Sequence, residues 1–266
     1  VQGGDGVWEG LRVYDGKIFR LNAHLDRLRS SALALAFAEI PSHETITNEI
    51  KRTLDANGMR DNAHIRLTLT RGDKLTSGMD PRLNTAGPTL IVLAEHKEPV
   101  YDKTGLSLIT SSVRRPSPDV LDPKIHHCNL IQSILAKIEA THAGADDALM
   151  LDQRGFVAET NATHLFIVEG DTVVTSRLVA CPEGITRDVV LNLCRQNDIA
   201  HEIRDYSLTE VYRADEMFCT GTMGELAPVT QVDGRTIGSG EIGSMTRRLS
   251  GLFDQCVAAE AEPVLD

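Results

Sequence analysis

Strand-forming and helix-forming segments follow one another along this chain without strict alternation, and this order constrains the fold more than any other feature of the sequence. Residues 7–21 are predicted to form two short strands joined by an Asp-Gly turn. Asn22 is expected to cap the helix that follows. A second helix is predicted over residues 44–57, where a glycine ends the pattern. Irregular order of this kind predicts α+β domains rather than alternating βα units.

A segment without periodicity divides the chain, because residues 98–104 fit neither a helix nor a strand. We therefore predict a small α/β domain over residues 1–99, a linker at 100–104 and a larger domain over 105–266. The other predicted elements are strands at 64–70, 89–93 and 105–112, several short strands up to residue 175, and helices at about 129–143, 184–196 and 242–256.

Composition argues against several classes of partner. The chain has 27 Lys and Arg residues against 38 Asp and Glu residues, a net charge of -11, which disfavours nucleic acid and anionic membranes. No stretch approaches the ~18 apolar residues of a membrane helix, and no signal segment opens the sequence. The 5 cysteines are scattered, which indicates reduced thiols in a cytoplasmic protein. Because the first residue is Val, the sequence is expected to lack its native beginning, including an upstream strand.

Four separated segments carry motifs. They are Asp-Gly-Val-Trp-Glu-Gly-Leu-Arg with His-Leu-Asp-Arg-Leu after it; Ala-Lys-Ile-Glu-Ala, Ala-Asp-Asp-Ala-Leu-Met-Leu-Asp and Val-Ala-Glu-Thr-Asn-Ala-Thr-His-Leu-Phe; Gly-Ile-Thr-Arg; and Gly-Thr leading to Pro-Val. In this order and spacing the chain resembles the class IV aminotransferases of the branched-chain and D-amino-acid type. The resemblance implies an α+β fold of type IV, with a small α/β domain and a larger domain containing a pseudo-barrel of strands.

The resemblance also implies pyridoxal 5′-phosphate or pyridoxamine phosphate as cofactor. A phosphate dianion is best held by an arginine and the amides of a helix start, and Arg27 resembles the family's phosphate arginine. Ile185 and Thr186 open a predicted helix, while Gly221 and Thr222 are expected to close the other side of the phosphate site. Taken alone, the same residues would suit a solvated arginine, a helix cap and an ordinary turn.

Glu159 resembles the family residue that pairs with the cofactor's ring nitrogen. That nitrogen must stay protonated if the ring is to accept electrons, which requires a neighbouring carboxylate. An acidic residue at the end of a strand is usually just exposed to solvent. The surrounding Glu-Thr-Asn-Ala-Thr-His-Leu-Phe sequence favours the functional interpretation.

Histidine stands where the family has its catalytic lysine. In many members a lysine that binds the cofactor and moves the substrate proton precedes an asparagine by three residues, and counting back from Asn129 gives His126. Lys124 lies two residues upstream. In an extended segment its side chain would point the same way as that of His126, about 6–7 Å further along, and a bulge could bring it into place. We expect His126 to hold the position, with Lys124 as the alternative.

Four more residues match positions that line the substrate site in the family. If Arg12 and Arg66 point inward, we expect them to bind a substrate carboxylate. Otherwise they are charged residues at the edge of the sheet. Met223 matches another lining position. His64 stands where relatives often have a tyrosine.

Two further departures concern the cofactor site. Leu130 replaces a tyrosine that bonds the cofactor in branched-chain relatives, and His164 stands where asparagine is usual. With His64 and His126, His164 is either a coincidental core histidine or a source of protons near neutral pH.

The leading prediction is a transferase that moves an amino group between an amino acid and a 2-keto acid, with L-branched-chain, D-amino-acid and aminodeoxychorismate substrates left open. If His126 holds the lysine position, lysine-independent, lyase- or dehydratase-like chemistry on noncovalent pyridoxamine phosphate is the alternative. A non-catalytic cofactor binder is a further class, against which Glu159 argues. A metal site at His126, His127 and His164 is disfavoured, because adjacent histidines on a strand face opposite ways. As in the family, a C2 homodimer is expected.

Overall fold

A computed structural model describes residues 2–101 and 103–265 of the chain. The strands, in chain order, are β1 (Gly6–Tyr14), β2 (Lys17–Phe19), β3 (Ala63–Thr70), β4 (Thr89–His96), β5 (Leu106–Thr110), β6 (Asp147–Leu151), β7 (Val157–Thr160), β8 (His164–Glu169), β9 (Thr172–Thr175), β10 (His201–Ile203), β11 (Glu216–Gly221), β12 (Glu225–Val232), β13 (Arg235–Thr236) and β14 (Ala261–Pro263). The helices are α1 (Leu21–Ala34), α2 (His43–Asn57), α3 (Pro118–Leu121), α4 (Ile131–His142), α5 (Ile185–Gln196), α6 (Leu208–Arg213) and α7 (Ser244–Glu260).

The chain divides into two compact units. The first runs to Glu98 and also includes Ile125–Asn129 and the residues from Val257 onward; the second comprises Pro99–Lys124 and Leu130–Cys256. The boundaries predicted from the sequence assign the two later segments of the first unit to the large domain instead. Those boundaries remain a prediction.

The first unit is a sheet covered on one face by α1 and α2. Its strand order is β14-β2-β1-β3-β4, with antiparallel pairing throughout. Alternate residues of β1 and β3 point to the helices, so that Leu11 and Ile65 are fully buried together with Leu25 of α1 and Ile50 of α2. The predicted hairpin is confirmed, with the Asp-Gly turn between β1 and β2.

The two helix starts of this unit differ in how they are capped. The predicted cap at Asn22 is wrong: α1 begins at Leu21, its cap position is Arg20 in a left-handed conformation (φ 56°), and no side chain bonds the first turn. Asn22 instead donates to Glu262, at 2.6 Å. In α2, by contrast, the Ser42 hydroxyl accepts from the Thr45 amide at 3.1 Å, and the helix ends at Gly58 as predicted.

The second unit is built on a sheet of 9 strands in the order β10-β9-β8-β11-β12-β5-β6-β7, with β13 paired to β12. Residues 161–163 join β7 directly to β8, a connection that spans at most about 14 Å. In a flat sheet the spacings from β8 to β7 would amount to about 24 Å. The sheet must therefore curl until β7 returns towards β8, which matches the expected pseudo-barrel.

Helix α4 packs on this sheet through small residues. Ala136 and Ala140 are fully buried against Ala148 and Met150 of β6. The opposite face of α4 carries exposed apolar side chains at positions one and two turns apart: Ile131, Ile134, Leu135 and Ile138. Among the described residues, no helix is long and apolar enough to cross a membrane.

Two glycine-to-alanine substitutions should change stability in opposite directions. Gly58 ends α2 with φ 62°, so alanine there should lower the free energy of unfolding by about 1 kcal/mol. Gly251 lies inside α7 with nothing within 4 Å of a Cβ, so Gly251→Ala should raise it by about 0.5–1 kcal/mol. Urea denaturation followed by circular dichroism tests both, and equal effects of one sign would contradict the assigned backbone conformations.

Candidate active site

Glu9 is a carboxylate in a row of core positions. It lies on β1 between Val7 and Leu11, on the face of the sheet that the helices cover, and is fully buried. The donors come from α1, where His24 and Arg27 are one turn apart and lie over the strand. An ionised carboxylate in this position needs several strong hydrogen bonds to offset its desolvation.

Glu9 receives these bonds on both oxygens. Arg27 donates through Nε to Oε1 at 2.8 Å and through Nη2 to Oε2 at 2.7 Å, a bidentate pair. His24 Nδ1 lies 2.7 Å from Oε2. Burial by itself would raise the pKa of Glu9, but the Arg27 charge and the neighbouring His126 outweigh it and hold the pKa well below its ordinary value. Glu9 is therefore ionised at neutral pH.

His126 joins this cluster because its segment pairs with the edge of β1. Strand β2 is short, and beyond its end the Trp8 amide donates to the His126 carbonyl at 3.0 Å, while the Cys128 amide donates to the Gly6 carbonyl at 2.9 Å. The His126 ring stacks on Trp8 with centroids 4.3 Å apart. The structure thus brings His126, the residue predicted in the lysine position, and Arg27, the predicted phosphate ligand, to one carboxylate.

The His126 ring is held through Nδ1. This atom lies 2.5 Å from the Trp8 carbonyl oxygen and 3.2 Å from Glu9 Oε1, and the Ser31 hydroxyl accepts from the His126 amide at 3.0 Å. Burial lowers the pKa of His126 and the Arg27 charge lowers it further, although Glu9 opposes both. The imidazole is therefore neutral at neutral pH.

Lys124 is placed differently from His126. The expected extended conformation does not hold there, because Lys124 lies in a turn and its side chain is exposed. Its amide donates to Asp122 at 3.0 Å. Alternation along a strand therefore does not align Lys124 with His126.

The other face of the first unit's sheet collects three of the predicted substrate-site residues. Arg12 of β1 is paired in register with His64 of β3, and Arg66 of β3 lies two residues further along on the same face. The Arg66 guanidinium lies 3.5 Å above the Trp8 ring. Arg12 is 5% exposed and donates to the Lys97 carbonyl and to Asn62, both at 3.3 Å. Within the described part of the chain, Arg12 Nε has no hydrogen-bond partner.

His64 is the one titratable neighbour of these arginines on β3. Burial lowers its pKa, which the hydrogen bond with Glu95, at 3.4 Å, partly opposes. The face therefore presents two arginines beside a neutral imidazole, an arrangement suited to an anion.

In the second unit, Glu159 is buried in an ion pair. Its Oε1 lies 2.5 Å from Arg115 Nη2, and both side chains are less than 10% exposed. Arg115 is itself fixed by the Ala180 carbonyl at 3.3 Å and the Ser133 hydroxyl at 3.1 Å. Such a pair keeps a carboxylate ionised inside the protein.

The start of α5 and the end of β11 are close together in the same unit. The first bond of α5 runs from Asp188 to the Gly184 carbonyl, so the amides of Ile185 and Thr186 are not used by the helix, and Gly184 at the cap position has no side chain to bond them. Any side chain at Gly184 would collide with the His164 ring. His164 is paired in register with Thr220, the residue before Gly221.

The β11–β12 turn completes this group. Thr222 and Met223 are half-buried in it, and the Met223 carbonyl accepts from the Val100 amide at 3.2 Å. Thr220 is 1% exposed, and its hydroxyl has no hydrogen-bond partner among the described residues. An orphaned buried hydroxyl beside free helix amides is typical of a site built for an anion.

Sequence reasoning missed four residues of these clusters: Glu9, Trp8, Arg115 and Thr220. The signal for Glu9 was available, because it is a charged residue in an otherwise apolar alternating row. Arg115 had no local signal, since its role depends on a contact with a residue far away in sequence.

Comparison with known proteins assigns the family. The model of the amino-transferase class IV family matches residues 6–232. The chain therefore belongs to the class IV aminotransferases. It is 54% identical over 99% of its length to branched-chain-amino-acid aminotransferase-like protein 2 of Arabidopsis thaliana, of which it covers 47%. It is 41% identical, over 94% of its length and 86% of the relative's, to a putative branched-chain-amino-acid aminotransferase of Methanocaldococcus jannaschii.

Solved structures agree. The branched-chain amino acid aminotransferase of T.th., complexed with N-(5′-phosphopyridoxyl)-L-glutamate, superposes with a TM-score of 0.89 at 34% identity, covering 97% of this chain and 86% of that one. The predicted family and fold type are confirmed. The chain spans about half the length of the Arabidopsis relatives it matches.

Removing Arg115 should be strongly destabilising. Arg115→Met leaves the buried Glu159 carboxylate without its cation and should lower the free energy of unfolding by about 3–5 kcal/mol. The matched control is Lys103→Met, which breaks an ion pair with Glu225 from a side chain that is 47% exposed and should cost less than about 1 kcal/mol. Urea denaturation measures both. Equal losses would show that the Arg115–Glu159 pair is not effectively buried.

Proposed function

We propose that this chain binds pyridoxal 5′-phosphate or pyridoxamine phosphate and transfers an amino group between an amino acid of the branched-chain type and a 2-keto acid. The family, and relatives named as branched-chain aminotransferases, support this proposal. The phosphopyridoxyl ligand in the T.th. structure supports the cofactor.

The observation that carries the proposal is the group in the second unit. The amides of Ile185 and Thr186, which make no bond within the helix, and the orphaned Thr220 hydroxyl suit a phosphate, and Gly221 and Thr222 follow Thr220 directly in the chain. The buried Glu159 carboxylate, paired with Arg115, suits a protonated ring nitrogen. When bound, the cofactor would supply an electron sink for the amino acid's α-carbon.

In the first unit, the resemblance to the family assigns roles to several charged residues. Arg27 is proposed as the phosphate arginine, oriented by Glu9. Arg12, Arg66 and His64 are proposed to contact the substrate, and the guanidinium groups suit its carboxylate. Met223 is proposed to contact the substrate on the resemblance to the family alone.

A second candidate is lysine-independent chemistry on noncovalently bound cofactor. It is favoured by the position of His126 in the Glu9 cluster and by the exposed turn at Lys124. Here His126 would exchange the substrate proton, and amino transfer or a dehydratase-like reaction would proceed without a lysine.

Borohydride trapping distinguishes the two candidates. We expect wild-type protein to change the absorption spectrum of added pyridoxal phosphate without forming a borohydride-stable adduct, because Lys124 is not aligned with His126. His126→Lys should acquire an adduct at residue 126, located by peptide mass spectrometry.

Lys124→Ala is the matched control and should leave the spectrum of the complex unchanged. A wild-type adduct at Lys124 would instead make lysine-dependent transamination the function. Cofactor binding without turnover of any amino acid would leave a non-catalytic binder. Failure to bind at all would contradict the proposed function.

We also propose that the protein is a homodimer in a reducing, cytoplasmic compartment. The 5 cysteines are thiols rather than disulfides. The apolar face of α4 supports self-association, since its four side chains are 44–65% exposed and clustered exposed apolar groups mark interfaces.

A charged substitution on this face should dissociate the dimer. Ile134→Glu combined with Ile138→Glu should convert the protein to a monomer in size-exclusion chromatography with light scattering, because two buried carboxylates per chain oppose association. Val120→Glu, at an exposed site on α3, should leave the dimer intact. A dimer that survives the double substitution would place the interface elsewhere.

A further inference from the structure

The hydrogen bonds of His126 identify which ring nitrogen carries a proton. Nδ1 lies 2.5 Å from the Trp8 carbonyl oxygen, which can only accept. Its other neighbour, 3.2 Å away, is an oxygen of the ionised Glu9, which also only accepts. Nδ1 must therefore be the donor in every charge state of the ring.

The neutral ring consequently has its lone pair on Nε2. Stacking on Trp8 and the bond from the His126 amide to Ser31 fix the orientation of the ring. The imidazole side chain remains 15% exposed. A neutral imidazole nitrogen held in a fixed orientation is the form that a general base requires.

We propose that His126 accepts the substrate proton through Nε2, and that Glu9 is the positioning residue that fixes this tautomer and balances the charge of the protonated ring. This assignment rests on the proposed function in its second form, in which no lysine takes part. In the first half of the transfer the proton moves from the amino acid's α-carbon to Nε2, and the ring becomes an imidazolium beside the Glu9 carboxylate. His126 would then pass this proton to the cofactor carbon that takes up the amino group, which returns the imidazole to its neutral form, and the second half would run the same two steps in reverse.

Glu9 also links His126 to Arg27. The carboxylate binds both, so the positive charge of Arg27 opposes protonation of His126 while Glu9 favours it. An anion bound at Arg27 would offset that positive charge and raise the pKa of His126. Binding of the cofactor's phosphate at Arg27 would thus make His126 a stronger base. By linkage, protonation of His126 would in turn tighten the binding of the phosphate.

The charged and titratable groups around His126 come from three strands and helices and from its own segment: Glu9 on β1, His24 and Arg27 on α1, Arg66 on β3 through its contact with Trp8, and the adjacent His127 and Cys128. Among these charged groups, Arg27 and Glu9 have the largest effects on the pKa of His126: Arg27 lowers it and Glu9 raises it.

The test is ¹⁵N NMR of the full chain labelled at histidine, with the His126 signals identified by their loss in His126→Gln. Without ligand, Nδ1 should carry the proton, and the titration midpoint should lie below the ordinary value of about 6.5. Saturation with pyridoxamine phosphate should raise the midpoint by about 0.5–1 pH unit, which corresponds to about 3–10-fold tighter binding to the protonated form.

Two substitutions test whether Glu9 in particular sets the titration midpoint of His126. Glu9→Gln should lower the His126 midpoint by about one pH unit, because the favourable negative charge is lost. Glu95→Gln removes a carboxylate beside His64 and should leave the His126 midpoint unchanged. If Glu9→Gln does not fold, the ligand-free tautomer and the ligand-induced rise in wild-type protein still decide the assignment.

Three results would overturn a part of this assignment. A proton on Nε2 would exclude His126 as the base, and a midpoint unmoved by bound pyridoxamine phosphate would remove the link through Glu9. Both would leave the proposed cofactor binding intact. No binding of pyridoxamine phosphate in a parallel absorbance titration would overturn the proposed function and withdraw the role of His126 with it.

Discussion

The ionised Glu9 carboxylate inside the first unit is the interaction on which the arrangement of the candidate site depends. A buried charge persists only when donors surround it, and here these donors are the residues with proposed roles, Arg27 and His126, together with His24. Each donor is oriented by the need to satisfy one carboxylate. The orientation of an arginine on a helix and of a histidine ring on a distant segment therefore depends in part on one residue of β1.

In the second unit, backbone amides rather than side chains supply the hydrogen-bond donors of the candidate site. Its helix start offers amides, and a glycine allows the His164 ring to approach the chain closely. The buried Glu159 carboxylate there also has an arginine partner. In each unit an arginine offsets the free-energy cost of burying a carboxylate. These charged side chains are therefore held in place before any ligand binds.

Much of this could be predicted from the sequence. The hairpin, α2 and the curled sheet follow from alternation, turn residues and family motifs, and the family assignment was correct because it rested on four spaced segments. The cap at Asn22 was predicted wrongly because the chain turns through a left-handed Arg20, which has no sequence signal. Glu9 and Arg115 were missed because their roles arise from contacts between residues distant in sequence. The site residues carried over from the family remain proposals.

The first unit is assembled from three separate stretches of chain, and this has a consequence for its folding. Its outermost strand, β14, comes from the last residues described, and the segment bearing His126 comes from the middle of the sequence. During synthesis, the free edge of β1 lacks its partner until residue 126 emerges, and β2 lacks its partner until residues 261–263 emerge. Exposed strand edges favour wrong pairing, so this unit is vulnerable to aggregation for as long as those later residues take to be made.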